Sequence, residues 1–300
     1  MLTKFQFQIS ETHKRNRLDK FLFTEITVVS QIYLNNLIAA GKCTINGRIE
    51  SGGYHLQAGD AVEIEIDVKA ETATLPENIP LQIVFEDSEL LVINKSPEML
   101  VHPTKGVRNG TLLNALNFYL NFTKDAAPKA EKIIRAGLVH RLDKKTSGLM
   151  VIAKNPNSHR VLSNHFQRKL IEKKYFAAVE GSVDEDFGTI NAPVGRNAEE
   201  RFWYITPDGK PAESRFRVIK RTGQTTLLTL EPVTGRTNQL RLHCAHIGHP
   251  IVGDDKYGGR EFPRLCLHAY KLSFYHPKGN QWLEFETALP KDFPDFESSV

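Results

Sequence analysis

The chain has 300 residues, 40% of them hydrophobic and 25% charged, with a formal net charge of +4. That composition suits one large or two smaller folded domains and excludes collagenous and disordered classes. Cys43, Cys244 and Cys266 are far apart and form no CxxC pair, so they read as packing residues of a reducing compartment, without a disulfide framework or thiolate zinc site. No apolar run reaches bilayer length and the opening Met1-Leu2-Thr3-Lys4 does not begin a signal peptide, so the expectation is a cytoplasmic chain with no membrane partner.

Residues 13–70 read as a small module. Arg17 to Phe23 predicts a short helix with Leu18, Phe21 and Leu22 on one side. Ser30 is placed to cap a second helix, in which Ile32, Leu34, Leu37 and Ile38 recur at helical spacing before Gly41. Cys43-Thr44-Ile45, Asn46-Gly47 and Arg48-Ile49 predict a tight hairpin. Val62, Ile64 and Ile66 alternate with Glu63 and Glu65 as a half-buried strand does. Asp67 to Pro80 has prolines and no period and is read as a linker.

Residues 81–295 read as a second, larger domain. Leu90 to Ile93 predicts a buried strand, and Gly110-Thr111 precedes a helix carrying Leu112, Leu113, Leu116 and Tyr119. Asn155 or Ser158 caps a helix with Val161, Leu162, His165, Phe166 and Leu170 on one stripe. Strands are predicted at Tyr175–Val179, 214–219, 226–230 and 271–275. Strands outnumber helices without regular alternation, so the predicted class is α+β, with a mixed, mainly antiparallel sheet and flanking helices.

Charge is distributed unevenly. From Lys132 to Lys174 there are eleven Lys and Arg against two acids, Asp143 and Glu172. That segment carries +9, the whole chain +4, and the remainder therefore −5. A basic segment in an otherwise acidic chain points to an anionic partner.

At its centre lies His140-Arg141-Leu142-Asp143-Lys144-Lys145-Thr146-Ser147-Gly148, one carboxylate among cations, directly before the apolar run Leu149–Ala153. Alone, this is equally a polar turn whose acid pairs with neighbouring bases. Four further clusters accompany it: Asn94-Lys95-Ser96-Pro97 leading to Val101-His102-Pro103, Lys173-Lys174-Tyr175, the run from Pro232 to His243, and Leu267-His268-Ala269. The spacing of His243, His246 and His249 does not suit metal ligation, because a helix spreads them and no acid or thiol stands at ligand spacing. Asp254 and Asp255 are set aside as a catalytic pair, since adjacent residues of an extended chain point opposite ways. Asp60 and Lys95 have no further support.

HRLDxxTSG followed roughly ninety residues later by GRTxQxRxH resembles the RluA-type family of RNA pseudouridine synthases, over about residues 81–290. The amino-terminal module more loosely resembles the α-L RNA-binding domain that many members carry. The resemblance implies isomerisation of uridine within RNA, most often large-subunit ribosomal RNA, with transfer RNA as the alternative, by a monomer without metal or organic cofactor. It implies Asp143 as the nucleophile, on the uracil ring or the anomeric carbon, and Arg241 as its ion-pair partner. Tyr175 matches the tyrosine that stacks on the base and takes the proton from ring carbon 5. A stacked uridine must be flipped out, at a few kcal/mol for unstacking, and Arg141 is similar to the arginine that fills the vacated space. His140, Lys144, Thr146, Arg236, Gln239 and Lys174 are carried over as substrate-binding residues, and Lys145, Lys154, Arg168, Lys169 and Lys173 as further phosphate holders.

The pattern departs from the family in three places. Ser96 intervenes before Pro97 with Glu98-Met99 after it, Asn238 stands where His is common, and Ser30-Gln31 stand where basic residues are frequent.

Overall fold

A computed structural model describes residues 2–26, 29, 31–67, 75–104, 106–122, 134–197 and 202–296. Ser30, Lys132 and residues 68–74 of the expected linker lie outside the described residues, as does the side chain of Ile32. The chain forms two compact units, residues 1–80 with 102–136, and residues 81–101 with 137–300.

The first unit holds β1 (Leu2–Gln8), α1 (Leu18–Glu25), α2 (Gln31–Ala39), β2 (Cys43–Ile45), β3 (Arg48–Ile49) and β4 (Ala61–Asp67). Its antiparallel sheet runs β1-β4-β2-β3. Asn46 and Gly47 both have positive φ, as a two-residue hairpin turn requires, and Val62, Ile64 and Ile66 bury beneath Leu18, Leu22 and Leu34. β1 lies ahead of residue 13, where no strand was expected; its Phe5 and Phe7 alternate with polar residues and pack on this core. In the same unit α3 (Leu112–Asn121) is capped by Thr111, whose side chain and that of Asn114 satisfy each other's backbone N–H. The Arg135 guanidinium lies 3.3 Å from the Phe23 ring centroid and donates to the Phe23 carbonyl.

The second unit is built on β5 (Gln82–Glu86), β6 (Leu90–Lys95), β7 (Gly137–Leu138), β8 (Ser147–Ala153), α4 (Pro156–Gln167), β9 (Glu172–Glu180), β10 (Phe187–Asn191), β11 (Val194–Asn197), β12 (Phe202–Ile205), β13 (Glu213–Arg221), β14 (Thr225–Pro232), α5 (Gln239–His246), β15 (Leu267–Tyr275) and β16 (Trp282–Glu286). Its main sheet runs β10-β13-β14-β9-β15-β8-β6-β5, with β16 on β15 and β7 on β8. The class is α+β with a mainly antiparallel sheet. β8 is buried at all seven positions, so its unbroken apolar run reflects a central strand covered on both faces. α4 is capped by Asn155, whose side chain accepts from Ser158 N–H at 2.9 Å. It ends at Gln167, so Leu170 leaves the predicted stripe and is exposed.

Among the described residues the main sheet contains one parallel pair, β8 with β15, joined at Ser147–His268 and Gly148–Ala269. Gly148 has φ +123°, and a Cβ there would lie 2.4–2.5 Å from the Ala269 backbone. Glycine is therefore the residue that lets the two halves of the sheet meet. His268 accepts or donates to Ser147 Oγ at 2.7 Å and to Thr287 Oγ1 at 2.8 Å, and Arg264 donates to the same Ser147 hydroxyl. Among the described residues no helix is long and apolar enough to cross a membrane.

Candidate active site

The turn before β8 presents Asp143. Its carbonyl accepts the Thr146 N–H at 3.1 Å, which closes the loop and leaves the carboxylate half-buried in an open cleft. The cleft is lined by Arg141, Asp143, Thr146, Lys173 and Tyr175 on one side and by residues 232 and 234–241 on the other. Its cavity volume is about 140 Å³, close to the roughly 150 Å³ of cavities that accept one aromatic ring.

Burial raises the Asp143 pKa, and the charges of Arg241, Arg141 and Lys95 and the backbone N–H of Asn238 oppose that rise without cancelling it. Arg141 is exposed and makes no ion pair among the described residues, so its guanidinium is available to an anion. Lys95 was passed over in the sequence. It is 2% exposed, and its ammonium donates to the carbonyls of Ser96 (2.7 Å), Met99 (3.0 Å) and Lys144 (3.3 Å) beneath the Asp143 loop. Burial pulls its pKa down to about 8, against the pull of Asp143 and Glu98.

Tyr175 on β9 is 9% exposed, and burial followed by the charge of Asp143 raises its phenol pKa. On a strand, Lys173 shares the face of Tyr175 and Lys174 takes the other. Accordingly Lys173 lines the cleft, whereas Lys174 is turned away and its charge acts on Glu284. Lys173 passes 5.8 Å from the Phe166 ring centroid, and burial lowers its pKa.

Three predicted binding residues are committed elsewhere. His140 accepts the Val151 N–H at 3.0 Å on Nε2 and stacks on Phe166 at 4.5 Å. Burial, with Lys173 nearby, pushes its pKa down to about 3, so it is a neutral packing residue. Gln239 is 3% exposed; its amide oxygen accepts from Thr234 Oγ1 (2.7 Å) and Arg236 N–H (3.0 Å), and its nitrogen donates to Glu213 O and Ser214 Oγ, both 2.9 Å. It therefore shapes the Thr234–Arg236 turn with no group left for a ligand. Lys144 pairs with Glu98 at 3.3 Å and is exposed. Thr146 and Arg236 line the cleft, Arg236 with its Nε on the Pro211 carbonyl at 3.1 Å. Lys154, expected on phosphates, pairs instead with Glu86 at 2.8 Å.

Arg241 is reached from a left-handed residue. Asn238, the N-cap of α5, has φ 55° and ψ 16°, a conformation that Asn adopts more readily than most side chains. The Arg241 fork closes on Asp254, at 2.6 and 2.7 Å, rather than on Asp143 as expected. Asp254 is therefore a site residue that the sequence reading set aside. The histidine run has other partners: His243 Nε2 meets Ala192 O at 3.0 Å, and His249 Nδ1 meets Glu180 O at 2.8 Å.

Residues 89–246 match the family described as RNA pseudouridylate synthase. An uncharacterized RNA pseudouridine synthase of Bacillus subtilis is 37% identical over 98% of this chain and 97% of its own. The ribosomal large subunit pseudouridine synthase D of Haemophilus influenzae is 37% identical over 95% and 91%. The solved human RNA pseudouridylate synthase domain containing 1 superposes with a TM-score of 0.58 at 28% identity, covering 71% of this chain and 85% of that one. A match over more than half the residues, together with nearly full-length relatives, makes this chain a member of the RNA pseudouridylate synthase family.

Proposed function

We propose that the protein isomerises uridine to pseudouridine in structured RNA, with large-subunit ribosomal RNA as the substrate and Asp143 as the nucleophile. The observation that carries the reading is the cleft itself. A carboxylate that forms no ion pair among the described residues shares a ring-sized space with Tyr175 and two cations, Arg141 and Lys173, that likewise form none among those residues. The ribosomal substrate is favoured because relatives covering nearly the whole chain, from Haemophilus influenzae and Pseudomonas aeruginosa, bear the name ribosomal large subunit pseudouridine synthase D. Transfer RNA is the alternative, and residues 13–70 serve as the accessory RNA-binding module.

In this scheme a flipped uridine lays its ring against Tyr175 while Arg141 fills the stack it left. Asp143 attacks the uracil ring or the anomeric carbon, the N1–C1′ bond breaks, a C5–C1′ bond forms, and the bond to Asp143 breaks to return the free carboxylate. The proton leaving C5 is balanced by the one gained at N1, so no external reactant is consumed. Tyr175 and Asp143 act in order. Burial and, while it is charged, the Asp143 carboxylate hold the phenol protonated; while Asp143 is bonded to the substrate that charge is gone, so the phenol more readily passes its proton to N1, and the phenolate left behind takes the C5 proton. With RNA labelled with tritium at uracil C5, the Asp143→Asn variant should release none, and release at the wild-type rate would sink the mechanism. Mapping pseudouridines in ribosomal and transfer RNA with and without the gene identifies the substrate.

A further inference from the structure

The two lysines that follow Asp143 each meet a carboxylate from a different loop. Lys144 Nζ lies 3.3 Å from Glu98 Oε2, on the loop after β6, and Lys145 Nζ lies 2.8 Å from Asp255 Oδ1, on the loop after α5. Asp143 and Thr146 on either side line the cleft, whereas neither lysine does. Both acids are set by backbone with little freedom. Glu98, part of one departure from the family pattern, has φ 60°, a left-handed conformation that is uncommon for a glutamate. The buried ammonium of Lys95 donates to the carbonyls of Met99 at 3.0 Å and Lys144 at 3.3 Å, and so ties the neighbour of Glu98 to the residue that Glu98 pairs with. Asp255 follows Gly253, where φ is +79° and a Cβ would fall 1.9 Å from the Arg264 carbonyl oxygen. That close approach fixes the loop, and the Asp255 side chain stands out from it, 72% exposed.

Ion pairs this exposed add little to stability. Their consequence is for an approaching anion, because a lysine that faces a carboxylate attracts a phosphate far less than an unpaired one does. We propose that Glu98 and Asp255 form an acidic collar that sets RNA selectivity. They occupy Lys144 and Lys145, suppress sequence-independent phosphate binding beside the cleft, and leave affinity to RNA that places a uridine among Arg141, Lys173 and Tyr175. Any RNA offers phosphates, but only a flipped base uses the cleft, so silencing the two lysines penalises the wrong RNA more than the right one. The inference rests on the reading of the cleft as a uridine-isomerising site.

The test uses E98Q, D255N and the E98Q/D255N double variant, all changes of exposed side chains. Binding to an oligoadenylate strand, which holds no uridine, is titrated against salt. Single-turnover tritium release is followed on saturating large-subunit ribosomal RNA labelled at uracil C5, with and without oligoadenylate as competitor. Each released lysine should tighten oligoadenylate binding about fivefold at roughly 0.1 M salt and steepen the log–log salt slope by about 0.7, and the double variant should show both gains. Oligoadenylate should then inhibit the double variant at lower concentration than wild type, while its uninhibited rate stays within about twofold of wild type. Adding K144Q and K145Q to the double variant should return oligoadenylate binding to the wild-type level, because the released cations are gone. Unchanged binding and slope in the double variant overturn the proposal. So does a gain that survives K144Q and K145Q, which would place the effect in overall charge rather than in the pairs. An uninhibited rate more than about threefold below wild type overturns it too, since the pairs would then hold the Asp143 loop for catalysis. No tritium release by wild type on ribosomal or transfer RNA removes the uridine-isomerising reading itself, whereas an active wild type beside an unmoved double variant removes only the collar.

Discussion

Burial works against the charge of Asp143. Burial raises its pKa more than three cations lower it, so in the folded chain the carboxyl binds its proton more tightly than in the unfolded one. The stability this gives is fully present below the unfolded pKa and is lost as pH rises through the folded value. At neutral pH the charge is therefore a burden on the fold, as groups held for reaction commonly are. Asp143→Asn should melt at a higher temperature than wild type at pH 7 while being inactive, and a lower melting temperature by calorimetry would contradict this. That Asp143, Tyr175 and Arg241 line one cleft was legible because short motifs bring each with its neighbours. Lys95 and Asp254 were not. The ammonium of Lys95 is caught by the Lys144 carbonyl 49 positions on, and Asp254 acquires meaning only when a loop returns it to α5.

At the scale of the element, two strands decide what the site contains. β8 meets β15 at Ser147 and Gly148, and the Gly148 position leaves no room for a side chain. Gly148→Ala adds a Cβ into the Ala269 backbone at a φ of +123°, and should lower unfolding free energy by more than about 3 kcal/mol, read by denaturant titration. β9 sorts its lysines by alternation. Lys173→Ala should weaken RNA binding severalfold more than Lys174→Ala in a filter-binding assay, and equal effects would mean that both reach RNA. The clue was present in the sequence, since Lys173 and Tyr175 are two apart and must share a strand face. The alternation of Phe5 and Phe7 in β1 was equally readable. β11, β12 and β16 carried less signal: each has four or five residues, β11 and β12 pair with each other in a separate two-stranded sheet, and β16 pairs with β15. Gln239 shows the opposite limit, because its place in a motif is visible while its four hydrogen bonds are not.

Across the second unit, the same burial that sets the site also sets acid sensitivity. His140 and His268 are pushed down to about 3 and about 4 from 6.5. Each favours the fold while neutral, so this stability is present above the ordinary histidine value and is lost as pH falls through the folded values. Denaturant midpoints should drop as pH goes from 6.5 towards 4, and less steeply in His268→Gln; an identical slope would remove His268 from the account. The +9 segment was legible as charge, but the sequence could not show that Lys144, Lys145 and Lys154 meet Glu98, Asp255 and Glu86. Arg141, Arg168, Lys169 and Lys173 are among the segment's cations that form no ion pair among the described residues, and they remain to attract the polyanion.

The seam between β8 and β15 also bears on how the protein is made. β15 pairs with β9 on one side and β8 on the other, and its first residue is Leu267. Residues 1–266 already contain Asp143, Tyr175 and Arg241, yet in the sheet the strand behind Asp143 and the strand that carries Tyr175 are joined through β15. Synthesis runs from the amino terminus and long-range pairing is slow. A nascent chain therefore carries the residues of the proposed site on strands that are joined into one sheet only when the final strands emerge and dock.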